Sequence, residues 1–123
     1  MKELICEYCG KNLLDNVNKS NVVFYYRNNI EKVIVCCNIK CDEILQKKYN
    51  LYSKYNKLTD YTNPILYKIR LNQFIDEING VGMSYTKDAI KSYTDVFIAM
   101  SEFVFRCATQ EEESYVKLLG MLG

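Results

Sequence analysis

The chain has no histidine, no tryptophan, one proline and five glycines in 123 residues. Without histidine it lacks the commonest general base near neutral pH. No G-x-S-x-G or Walker pattern occurs, so neither a nucleophile elbow nor a phosphate loop is expected. Gly80-Val81-Gly82 follows no strand and has no third glycine, and reads as a helix stop. So little proline and glycine, with 49% apolar residues, argues against a disordered or linker-rich chain. No apolar run approaches the roughly 20 residues needed to span a bilayer, and Met1 to Cys6 has no apolar signal region.

What is present is thiol in pairs. Cys6-Glu7-Tyr8-Cys9-Gly10 and Cys37-Asn38-Ile39-Lys40-Cys41 each bracket a segment long enough to wrap two ligands around one ion. Two such pairs read as one tetrahedral zinc site, with Cys6, Cys9, Cys37 and Cys41 as ligands. Paired thiols with no export signal point to a reducing compartment, the cytoplasm by default. Four thiolates leave no open position for an activated water, so the zinc is expected to be structural, one per chain. In under sixty residues it would supply folding energy as well. Cys36 competes with Cys37 for the third place. Cys37 is preferred because Asn38 can then cap a helix that carries Cys41 in its first turn, where the helix dipole favours a thiolate. Cys36 becomes a buried apolar residue at a strand end.

Between the pairs, residues 21–27 and 30–36 are rich in β-branched and aromatic residues and flank Asn28-Asn29. They read as a hairpin with a two-residue turn, setting Tyr26 opposite Glu31, Phe24 opposite Val33 and Val22 opposite Val35. After Cys41 a helix over about 39–58 is predicted, with Ile44, Leu51, Tyr55 and Leu58 on one stripe and Leu45 and Tyr52 beside it. Lys47, Lys54 and Lys57 would line its flank, as candidate contacts to a nucleic-acid backbone or as solubilising charge.

Knuckle, hairpin, and a second Cys pair running into a helix resemble the treble-clef zinc fingers of the MYM/TRASH and FCS kind. Cys6, Cys9, Gly10, Cys37, Asn38 and Cys41 carry that resemblance, with Tyr49 placed along the helix as an aromatic often is; it covers residues 4–50. Cys36 stands where those families favour an aromatic, and Asn38 where they favour serine. The resemblance implies a metal-held fold and roles ranging over protein contacts, nucleic-acid binding and metal sensing. The absent histidine excludes the His-dependent nucleases built on such scaffolds.

Residues 59–123 read as helical. Asn63-Pro64 opens a helix with Tyr67, Leu71, Phe74 and Ile78 on one face and Ile75 beside them. Ser84 or Thr86 opens the longest helix, whose core face holds Ala89, Tyr93, Val96, Phe97, Met100, Phe103, Val104 and Cys107. Ile98 and Phe105 lie off that stripe, on a second face that is either covered by the protein itself or meets a partner. Thr109-Gln110-Glu111-Glu112 is a capping box ahead of Tyr115, Leu118, Leu119 and Leu122. Acidic residues such as Asp76, Glu77, Asp88, Asp95 and Glu102 are spaced as solvated helix faces rather than as a magnesium site.

The expected fold is therefore α+β: a four-cysteine, treble-clef-like zinc finger over 1–58 and a small bundle of about three helices over 59–123, packed together as one unit. Charge is mild. Residues 1–58 hold ten Lys/Arg against six Asp/Glu, and residues 59–123 hold six against nine. Zinc with four thiolates moves the formal net charge of +1 to about −1. A nucleic-acid domain usually carries more positive charge. The first expectation is thus a non-enzymatic adaptor or inhibitor of a protein partner, with Ile98 and Phe105 as partner-binding residues and a second copy as one candidate partner. The runner-up is a nucleic-acid-binding regulator using Lys47, Lys54 and Lys57. Abundant Lys, Asn, Ile and Tyr fit an AT-rich genome, where an inhibitor carried on a mobile element is one form of the first reading.

Overall fold

The computed structural model describes residues 2–107, without the side chains of Phe103 and residues 105–107; the helix expected from Thr109 lies outside them. β1 (Ser20–Tyr26), β2 (Ile30–Cys37) and β3 (Tyr52–Lys57) form one antiparallel sheet in the order β2-β1-β3. Central β1 is buried along nearly its whole length, which is why it reads as an unbroken apolar run instead of alternating. The hairpin register matches the sequence pattern at Val22↔Val35 and Phe24↔Val33. At the turn it does not. A shift between Tyr25 and Tyr26 pairs Tyr26 with Ile30 in place of Glu31. Three residues, 27–29, make the connection, and neither asparagine takes positive φ, so the extra residue is absorbed as a bulge.

The single helix read over 39–58 is two elements. α1 (Lys40–Tyr49) stops at Asn50, which adopts left-handed φ 45° and accepts from Arg27 at its carbonyl at 3.3 Å. The chain then returns as β3, pairing from Tyr26↔Tyr52 to Asn21↔Lys57. A helix continued past Asn50 would have left the second edge of β1 unpaired, so tertiary pairing overrides a 3.6-residue pattern that six residues of strand satisfy only by coincidence.

Alternation along β1 sends Asn21, Val23 and Tyr25 to one face and Val22, Phe24 and Tyr26 to the other. α1 covers the first face: Tyr25 packs on Tyr49 at 5.0 Å between centroids, and Asn21 donates to the buried Asp42 carboxylate at 3.0 Å. α2 (Pro64–Ile78) and α3 (Lys87–Cys107) cover the second. Asn63 caps α2 as predicted, its side chain accepting from the N–H groups of Ile65 and Leu66. Thr86 caps α3, with Oγ1 accepting from Ala89 N–H at 3.2 Å. The segment between the two helices is sewn to the hairpin, since Ile30 N–H donates to the Ser84 carbonyl (2.8 Å) and Thr86 N–H to that of Ile30 (3.0 Å).

Phe24 meets Tyr93 of α3 edge to face at 4.9 Å, and Tyr93 in turn meets Phe74 at 4.6 Å and Phe97 at 4.7 Å. The hydroxyls of Tyr61 and Tyr93 share a buried hydrogen bond of 2.7 Å. One apolar cluster therefore runs from Leu4 and Cys6 through the sheet to Val96 and Met100. Among the described residues the architecture is α+β, a three-stranded sheet and three α-helices with a cysteine cluster in its N-terminal region. No helix among the described residues is long and apolar enough to cross a membrane.

Candidate metal centre

Cys6, Cys9, Cys37 and Cys41 converge, with all four Sγ atoms within 4.8 Å of one another. Two come from the N-terminal knuckle, one from the end of β2 and one from the first turn of α1. The knuckle closes because Gly10 takes φ 77° and returns its N–H to the Cys6 carbonyl at 3.0 Å. That turn aims Cys9 N–H at Cys6 Sγ, which also receives Cys37 N–H, each at 3.5 Å. A bond from Glu7 N–H to the Val35 carbonyl ties the knuckle to β2. Tyr49 ties it to α1 by donating to the Glu7 carboxylate at 3.2 Å.

Adjacent residues of a strand face opposite sides, and this separates Cys36 from Cys37. Cys37 turns to the cluster, where its Sγ lies 3.7 Å from that of Cys9. Cys36 is fully buried, and burial followed by the nearby Asp42 charge pushes its thiol well above the ordinary range. The expected cap is different. Asn38 does not cap α1; Ile39 precedes the helix at φ 62° with no side-chain cap bond, and Cys41 is its second residue. The free N–H groups of that first turn still lie at the end of the helix that carries the ligand.

The thiols are electrostatically unequal. Burial alone would raise Cys6, but the N–H groups of Cys9, Cys37 and Tyr8 outweigh it and bring the thiol down to about 7. Burial, then hydrogen bonding and charge from Cys9 and Cys6, pushes Cys37 up to about 11 and Cys41 up to about 12. Four sulfurs this close, with one already favouring thiolate, form a donor set that a divalent cation neutralises. A tetrahedron with metal–sulfur bonds of about 2.3 Å has edges of roughly 3.8 Å, close to the observed Cys9–Cys37 separation. The donors thus fit a metal ion such as zinc.

Ile98 is 53% exposed on α3, off the helix's buried stripe. It borders an open apolar groove of about 320 Å³ between α2 and α3, along with Leu71, Ile75, Ile78 and Phe97. The helical spacing of Tyr67, Leu71, Phe74 and Ile78 predicts one apolar face on α2. Only Phe74 of that stripe is buried, while Tyr67, Leu71 and Ile78 line the groove at partly or largely exposed positions. The Phe105 side chain lies outside the described residues.

The three lysines do not share a flank. Lys47 is on α1, whereas Lys54 and Lys57 are on β3, three residues apart and so on opposite faces of the sheet. Lys54 sits over the Phe24 and Tyr26 rings at 5.8 and 6.0 Å. Tyr52 and Tyr55, 68% and 57% exposed, are likewise on opposite faces. No protein-family model matches the chain, and neither a curated protein nor a solved structure matches it.

Proposed function

We propose that the chain is a non-enzymatic, zinc-stabilised binding protein, an adaptor or inhibitor that recognises another protein through the groove between α2 and α3. The observation that carries this reading is the groove itself. Ile75, Ile78 and Ile98 leave large aliphatic surface exposed in one place, and an apolar concavity with a polar rim is where protein partners gain most of their binding energy. Zinc, in this reading, fixes the sheet that α3 leans on and takes no part in chemistry. Four sulfur ligands favour zinc over oxygen-loving cations.

The nucleic-acid reading draws on the same lysines and tyrosines, and their placement counts against it. A single strand tracked by stacking needs aromatics on one surface with cations beside them. Here Tyr52 and Tyr55 face apart, and Lys54 is engaged with rings of its own sheet.

The test is one binding series with two variant sets. Ile98→Asp should weaken a partner captured by the wild-type chain by on the order of 2 kcal/mol or more. Reversing Lys47, Lys54 and Lys57 to Glu should matter far less. Binding to DNA or RNA that depends on the lysines and collapses between about 50 and 200 mM salt would replace this reading with the other.

A further inference from the structure

Among the described residues, tyrosines aside, the buried polar or charged side chains are Ser20, Asn21 and Asp42, and all three line one open cavity beside α1. Its volume of about 300 Å³ is at the small end for ligand sites. Register sets Tyr55 opposite Val23 and Lys57 opposite Asn21, so both side chains lie on the α1 face of the sheet, and both line the same cavity.

Asp42 holds a buried carboxylate with no cation against it. Oδ2 accepts from Asn21 Nδ2 at 3.0 Å and Oδ1 from Gln46 Nε2 at 2.7 Å, both neutral amides. It joins none of the ion pairs found among the described residues. A buried carboxylate is ordinarily paired or fully supplied with donors. One donor on each oxygen leaves each a free lone pair, so the cavity suits a ligand that presents two N–H groups side by side.

A guanidinium offers such a pair, and so does the Watson–Crick edge of guanine through N1–H and the N2 amino group. Rim charge separates the two. Lys57 lines the cavity, and exposed Lys19 and Lys40 flank its lining residues on two segments joined by a bond from Asn38 N–H to the Lys19 carbonyl (2.9 Å). Against them stands Glu43, exposed in the first turn of α1 but outside the cavity lining. That balance repels a guanidinium and attracts a phosphate. Tyr55, exposed at the rim, offers a ring on which a base can stack, and the Asn38 amide can donate to O6. Adenine, cytosine and uracil each set an acceptor beside the donor on that edge, which a carboxylate repels.

We propose that this cavity binds a guanine nucleotide, with Asp42 accepting from N1–H and the N2 amino group, Tyr55 stacked on the base and Lys57 paired with the phosphate. The site is across the sheet from the α2–α3 groove, so it stands or falls separately from the reading of that groove.

Calorimetric titration of the full zinc-loaded chain with GMP, AMP, CMP, UMP and arginine amide is the test. GMP should bind, and each of the others should bind at least about tenfold more weakly. Asp42→Asn turns one acceptor into a donor, so it should lose GMP and gain xanthosine monophosphate, whose O2 replaces the N2 amino group; zinc content and circular dichroism should not change. Tyr55→Ala, at an exposed position, should weaken GMP about tenfold on a folded chain. A short single strand carrying one guanine, titrated beside GMP, separates the sources: tighter binding of the strand places the ligand in a nucleic acid, and the reverse makes it a free nucleotide. No heat from GMP up to about 1 mM would overturn the proposal. So would equal binding of the four nucleotides, tighter binding of arginine amide, a folded Asp42→Asn variant that gains nothing, or a Tyr55→Ala variant with unchanged affinity.

Discussion

Cys36 and Cys37 are neighbours in sequence and leave β2 toward opposite faces of the sheet. Cys37 Sγ lies 3.7 Å from Cys9 Sγ, while Cys36 has no exposed surface at all. The one-residue step decides which thiol joins the cluster that could hold a metal ion.

Cys37→Ala should therefore abolish stoichiometric metal in protein purified without added zinc. Cys36→Ala should keep it and lose stability through a small cavity, by about 1 kcal/mol. Elemental analysis of both variants is the check. Metal retained by the first and lost by the second would transfer the ligand role to Cys36.

Phe24 and Tyr93 join the cysteine-bearing sheet to the helices, so stripping the metal should disturb both. A strong chelator is expected to change the near-ultraviolet tyrosine signal of the Tyr61–Tyr93–Phe97 cluster in the same transition that releases zinc. Phe24→Ala should cost about 3–5 kcal/mol. Zinc release that leaves the tyrosine signal of α3 untouched would show that the helices stand without the sheet.

Tyr61, Tyr85 and Tyr93 are each pushed above the ordinary tyrosine range, chiefly by burial. The folded protein then holds protons that the unfolded chain releases near pH 10. Stability from these groups is complete below about pH 10 and declines as the pH rises past it. Absorbance at phenolate wavelengths should show their ionisation coinciding with loss of circular dichroism. Smooth titration of all tyrosines in a still-folded protein would contradict the burial.

Ile39 holds φ 62° with a β-branched side chain that is 72% exposed, so little packing compensates the backbone strain. Left-handed backbone costs a non-glycine residue roughly 1–2 kcal/mol. Ile39→Gly should recover about 1 kcal/mol in denaturant unfolding, net of glycine's added unfolded-state entropy. A destabilised variant would mean that the isoleucine side chain contributes more than its exposure implies.

The sequence by itself carried the chemistry and the local order. Ligand spacing is short-range information, and a C-x2-C or C-x3-C segment can turn back on one point with little help from the rest of the chain. The hairpin, the Asn63 cap and the extent of α2 were legible for the same reason, because β-branched runs and capping residues act on their neighbours. Segment 50–58 was not legible. Its leucines and tyrosines fit helical spacing, and only the free edge of β1, distant in sequence, made strand pairing the lower-energy choice. The Asn50 that ends α1 gave a local sign of the break, yet an isolated asparagine is a weak one. The dispersal of Lys47, Lys54 and Lys57 followed from that same strand. The groove was decided in the same way. Which apolar residues of α2 are core and which are surface depends on where α3 lies, and α3 is held to the sheet through Phe24, whose contact with Tyr93 joins residues far apart in sequence.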